Sequence, residues 1–75
     1  MRRIVKGEIA KIAKSAEVII REERVSDTSF VKVPVSFTDM MSELKGARWW
    51  GSEHEGEVYI CSFKCNFEIH VKEVA

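Results

Sequence analysis

Apolar and polar positions alternate most regularly over residues 57–73, EVYICSFKCNFEIHVKE. The odd positions Tyr59, Cys61, Phe63, Cys65, Phe67, Ile69 and Val71 form an unbroken apolar row. The even positions start with Val58 and Ile60, then turn polar through Ser62, Lys64, Asn66, Glu68, His70 and Lys72. Side chains on a strand alternate between faces. The row therefore predicts one long strand, or two strands bent at the middle, with the odd positions in the core.

Residues 4–24 carry a helical period instead. Val5, Ile9, Ile12, Ala13, Ala16, Ile19 and Ile20 fall on one stripe, opposite Lys11, Lys14, Ser15, Arg21 and Glu22. This predicts a long N-terminal helix. A shorter helix ended by Ser15, with a strand over the β-branched run Val18-Ile19-Ile20, is the competing reading of residues 16–24. The short polar residues Ser26-Asp27-Thr28-Ser29 mark a turn. Phe30–Phe37 then alternates as a strand, and Pro34 confines that strand to a sheet edge or a bulge because it has no backbone donor. Residues 38–46 predict a short second helix with Thr38 as N-cap, Asp39 at the positive end of the dipole and Gly46 as C-terminal cap. Gly51 and Gly56 bracket a polar loop between apolar runs, as in a hairpin. The expected fold is α+β in the order α-β-α-β-β. It consists of an antiparallel sheet of three to four strands packed by the long N-terminal helix and the short second helix, in a single domain over residues 1–75.

A chain of 75 residues buries only about 60% of the surface it exposes when unfolded, so its stability is small. With 45% hydrophobic and 32% charged residues it has too much apolar material for a disordered chain. The formal net charge of zero weighs against a protein whose main task is gripping nucleic acid. No apolar run approaches the ~20 residues that span a bilayer. The start, Met1-Arg2-Arg3-Ile4-Val5-Lys6, lacks the apolar core of a signal peptide. The expected location is thus the cytoplasm, with no membrane contact.

Candidate chemistry is sparse. On a single strand the Cα atoms of Cys61 and Cys65 stand roughly 13 Å apart, too far for a disulfide or a shared zinc ion. Both are expected to be reduced, buried thiols, a reading that a tight turn at residues 62–64 would reopen. The spacing H-x6-C-x3-C-x4-H through His54 and His70 fits no compact zinc site. No GxSxG, P-loop, HExxH or GxGxxG occurs, so no catalytic residue, cofactor or metal is assigned.

The tryptophan pair is more informative. On a strand Trp49 and Trp50 point to opposite faces, so one enters the core and the other needs cover. Arg48 adds a residue type favoured at interfaces. If the first helix covers one face, then Val58, Ile60 and one tryptophan project from the other. The expected partner-binding residues are therefore Arg48, Trp49, Trp50, Val58 and Ile60. The expected function is stoichiometric binding of a macromolecule, most naturally a protein, by a small adaptor or inhibitor. By analogy of size, such chains are carried by phages and mobile elements. Self-association into a homodimer is a further expectation. The alternative is a nucleic-acid-binding regulator using Arg2, Arg3, Lys6, Lys11 and Lys14, with Trp49, Trp50 and Tyr59 for stacking, although Glu53, Glu55 and Glu57 would repel phosphate. A small enzyme or ligand binder active only as an oligomer is a third class.

Overall fold

The stripe over residues 4–24 contains a helix for only part of its length. In the computed structural model, which describes residues 2–71, α1 spans Lys6–Lys14 and stops at Ser15. The Ser15 hydroxyl donates to the carbonyl oxygens of Lys11 and Ile12, at 3.2 and 3.4 Å. The chain then enters strand β2, Val18–Arg24. The long helix is thus corrected to the shorter helix and strand. Within so short an apolar run the two periods overlap, since Ile19 is a core position in either. Pairing on both sides settles it, because β2 lies between two other strands.

The described residues form six strands and two helices, in the order β-α-β-β-α-β-β-β. Strand β1 is Arg2–Ile4, β3 is Phe30–Val35, β4 is Trp49–His54, β5 is Glu57–Ser62 and β6 is Asn66–His70. They pair antiparallel throughout, in the spatial order β1-β4-β5-β6-β2-β3. The fold is α+β as expected, with six strands in place of three or four. The short β1, hidden in the basic start of the chain, has too few residues to show a period.

Helix α2 spans Phe37–Leu44. Its N-cap is Ser36 rather than Thr38, and the Ser36 hydroxyl accepts from the Asp39 N–H at 3.0 Å. Phe37 therefore belongs to the helix and not to the strand. Gly46 follows the helix with φ of +76°, the left-handed conformation expected of a residue closing a helix. The β4–β5 hairpin turns on Glu55 and Gly56, both at positive φ (52° and 81°), as a two-residue turn of the favoured hand requires.

The period-two row breaks at its middle. Strands β5 and β6 form a hairpin about Phe63 and Lys64, with Val58 opposite Ile69 and Ile60 opposite Phe67. Opposed residues in an antiparallel pair share a face, so even positions of β5 lie beside odd positions of β6. The Ser62 hydroxyl accepts from the Cys65 N–H at 3.0 Å and fixes the turn.

Both helices pack on one face. The core there comprises Ile9 and Ala13 of α1, Met40 and Leu44 of α2, and Ile4, Ile19, Val58, Ile60, Cys65, Phe67 and Ile69 from the sheet and its turn. The expected odd-numbered core is thereby corrected for β5. Val58 and Ile60 are buried, Tyr59 and Cys61 lie on the opposite face, and Phe63 is 83% exposed in the turn. Gly51 lies opposite Ile60 on the covered face, where Ile9 of α1 rides directly on the backbone.

Among the described residues no helix is long and apolar enough to cross a membrane.

Candidate functional site: the aromatic end of the open face

Both helices cover one side, so the other side of the sheet is screened only by its own side chains, which bury Ser52 and leave Trp50, Tyr59 and Cys61 partly exposed. Register assigns Arg3, Trp50, Ser52, Tyr59, Cys61, Asn66, Glu68, Ile20, Glu22, Lys32 and Pro34 to this open face. Its middle is polar and internally compensated. Lys32 Nζ stands 3.1 Å from Glu68 Oε1 and 3.4 Å from Glu22 Oε2, tying β3, β2 and β6 together. Its ammonium pKa is raised, first by the bond to Glu68. The Tyr59 hydroxyl donates to Glu57, which pushes the phenol up to about 12.

One end of this face is different. The turn Ser62–Cys65 places Phe63 against Trp50, with ring centroids 6.1 Å apart and planes at 73°, an edge-to-face contact. A cleft of about 240 Å³ runs from there between Phe63 and Lys64 on one side and Arg24 and Phe30 on the other, over Glu22 and Asn66. The Arg24 guanidinium lies 6.0 Å from the Phe30 ring centroid. Strand registers continued past their ends bring Arg48 level with Phe63, and Arg24 level with Lys64. Aromatic rings and cations thus share one rim. A second depression, formed by Ser52, Tyr59, Cys61 and Glu68, adjoins the cleft through Glu22 and Asn66.

The expected partner-binding residues divide between the two faces. Arg48 is exposed beside the rim and Trp50 lies on it. Trp49 faces the helices, half-buried against the core, with Lys6 Nζ 4.8 Å from its ring centroid. Val58 and Ile60 are 5% and 0% exposed beneath the helices and cannot touch a partner; their expected projection from the open face is corrected. The rim residues that the pattern did not single out are Arg24, Phe30, Phe63 and Lys64. The hint for Phe63 lay in Ser62 and Asn66 nearby, residue types that favour a turn over a continuous strand.

The tight turn also separates the cysteines. Cys61 is half-buried on the open face, whereas Cys65 is buried on the covered face, its thiol 3.5 Å from Glu43 Oε2. Burial, and then the bond to Glu43, raises the Cys65 pKa. Glu43 in turn accepts from Arg21 Nε at 2.7 Å, and that bond holds its carboxyl below the usual range. Arg21 also donates to Glu23 at 2.8 Å. This cluster joins α2 to β2, and each member has a partner. Among the described residues no group of three or more His, Cys, Asp and Glu side chains could hold a metal.

Comparison of the chain with family models, with curated proteins and with solved structures yields no match in any of the three.

Proposed function

We propose that this protein is a non-catalytic binding module that acts stoichiometrically on a macromolecular partner, a protein, as an adaptor or inhibitor. The observation that carries this reading is the 83% exposure of Phe63, held edge-on against Trp50 at the end of an uncovered sheet face. A large aromatic fixed in a turn and bare to water is poorly placed for stability and well placed for contact. Trp, Phe and Arg are the residue types that dominate protein interfaces. Arg24, Arg48 and Lys64 around the rings give the rim a positive character, which suits a partner with an acidic surface. The proposed location is a reducing compartment such as the cytoplasm, where Cys61 and Cys65 remain thiols.

Nucleic-acid binding is the second reading, favoured by the same juxtaposition of cations and rings. The basic residues behind it are divided: Lys6, Lys11 and Lys14 lie on α1, on the covered side away from Trp50 and Phe63, whereas Arg2 and Arg3 belong to β1 and Arg3 faces the open side.

Capture by the tagged protein from its source cell tests both. Phe63→Ser should abolish capture of the partner with little change in melting temperature, and Trp50→Ser should abolish it too, with a lower melting temperature because Trp50 is only partly exposed. Rising salt should weaken capture only modestly, since an acidic protein surface, unlike a phosphate backbone, carries no condensed layer of counterions to release. A steep log-log salt slope together with co-purifying nucleic acid supports the second reading. Undiminished capture by both variants would remove this rim from the interface.

A further inference from the structure

We propose that β3 is the seam of a symmetric homodimer, in which two copies pair β3 to β3 antiparallel and join their six-stranded sheets into one of twelve strands. The two edges of the sheet are unlike. Edge β1 has three residues and carries the exposed Arg2 and Arg3, a short and charged edge that discourages pairing. Edge β3 has six residues, and its apolar side chains remain bare: Phe30 is 56% exposed, Val31 43% and Val33 38%. Val31 and Val33 lie opposite Glu23 and Arg21, on the helix side of the sheet, where neither helix reaches far enough to bury them.

The backbone is also available. The Val25 N–H donates to the Ser29 carbonyl at 3.1 Å, and antiparallel pairs alternate between exchanging hydrogen bonds and not. The odd residues of β3 therefore spend their hydrogen bonds on β2. The N–H and C=O groups of Phe30, Lys32 and Pro34 point away from it. Pro34 sits where its missing donor would have faced outward, and so leaves the β2–β3 ladder intact. It removes one outward donor near the end of the strand and leaves those of Phe30 and Lys32.

The occupant is a second copy because the strand complements itself. With the two-fold axis at Val31, Phe30 of one chain exchanges both backbone hydrogen bonds with Lys32 of the other, and the converse. Pro34 then falls opposite Thr28, outside the bonded centre. Val31 meets Val31 in a close, non-bonded pair, flanked diagonally by the two Val33 side chains, and the exposed valines bury one another. The alternative register, centred on Lys32, would place like charges directly opposite and set Pro34 against Phe30. Charge presents no barrier in the favoured register. The chain has no net charge, and each Lys32 is already matched by its own Glu22 and Glu68.

The self-pairing shares Phe30 with the cleft beside the Trp50–Phe63 rim but needs no partner there, and it is tested on the protein alone. Sedimentation at high micromolar concentration should give 17.2 kDa, twice the 8.6 kDa of one chain. Val31→Lys should give the single-chain mass with an unchanged circular dichroism spectrum. Non-bonded antiparallel pairs stand about 4.5 Å apart at Cα, within disulfide range, so Val31→Cys should form a covalent dimer under mild oxidation. Val33→Cys should not, because in this register the two Val33 positions lie roughly 13 Å apart along the strands. A wild-type mass of one chain throughout would overturn the proposal, as would Val33→Cys cross-linking at least as fast as Val31→Cys.

Discussion

Phe67→Ala lowers the stability of the fold by about 3–5 kcal/mol, whereas Phe63→Ala, in the same apolar row, changes it by no more than about 0.5 kcal/mol. Phe67 is fully buried and is the largest side chain in the core. It lies beside Ile60 on β5 and Arg21 on β2, under the helical layer. Truncation removes the ring from apolar contact and leaves a cavity that paired strands on both sides cannot close. A domain of this size has a total stability near the low end of about 5–15 kcal/mol, so this variant keeps only about 0–2 kcal/mol and should melt close to ambient temperature. Phe63 has no such surroundings, since it stands in the turn with only the edge of Trp50 against it. Thermal melts of the two variants side by side check this. Equal losses would mean that the odd row is core along its whole length.

Gly51→Ala should cost about 1–3 kcal/mol, an unusual penalty for adding one methyl group to a strand. Elsewhere in a strand the change would help, because alanine loses less backbone entropy on folding. At Gly51 the added Cβ would overlap Ile9 Cγ1 and stand 3.0 Å from Ile9 Cδ1 and 3.2 Å from the Ile4 carbonyl oxygen. Ile9 is completely buried and cannot swing aside, and the Ile4 oxygen belongs to the paired strand β1. The substitution would push α1 off β4 and loosen β1. Denaturant melts of Gly51→Ala, of Ile9→Ala and of the double variant measure the effect. Ile9→Ala removes the clashing Cγ1 and Cδ1, so the double variant should lose less stability than the two single losses added together. An unchanged midpoint for Gly51→Ala would mean that α1 does not rest on β4.

These outcomes show how far the amino-acid pattern reaches. The mixed class, the second helix, the edge strand with Pro34 and the hairpin at Gly56 all follow from local chemistry, because turn residues, caps and prolines act over a few positions. The extent of α1 does not, since Ala16, Ile19 and Ile20 suit either a helix or a strand and only pairing with β3 and β6 decides between them. The faces of β5 do not either. An apolar row over residues 59–71 favours a continuous strand, and the turn at Phe63 and Lys64 contains no glycine or proline to announce it. Reversing that face moved Val58 and Ile60 inward and Tyr59 and Cys61 outward. Of the candidate contact residues, Arg48 and Trp50 were legible because aromatic and cationic side chains in an apolar segment are conspicuous. Phe63, Phe30, Arg24 and Lys64 come together only through the strand order, which no local period encodes.

The proposed contact surface depends on which side of the sheet the helices leave uncovered, and the two cysteines report on the two sides directly. Cys61 lies on the open face and Cys65 is 7% exposed beneath α2, beside Glu43. Timed alkylation of the native protein, read by mass spectrometry of the two labelled sites, should show Cys61 reacting readily. Cys65 should react only at the rate of unfolding and become fast in denaturant. Preferential labelling of Cys65, or equal protection of both thiols, would contradict the assignment of the open face and the contact surface built on it.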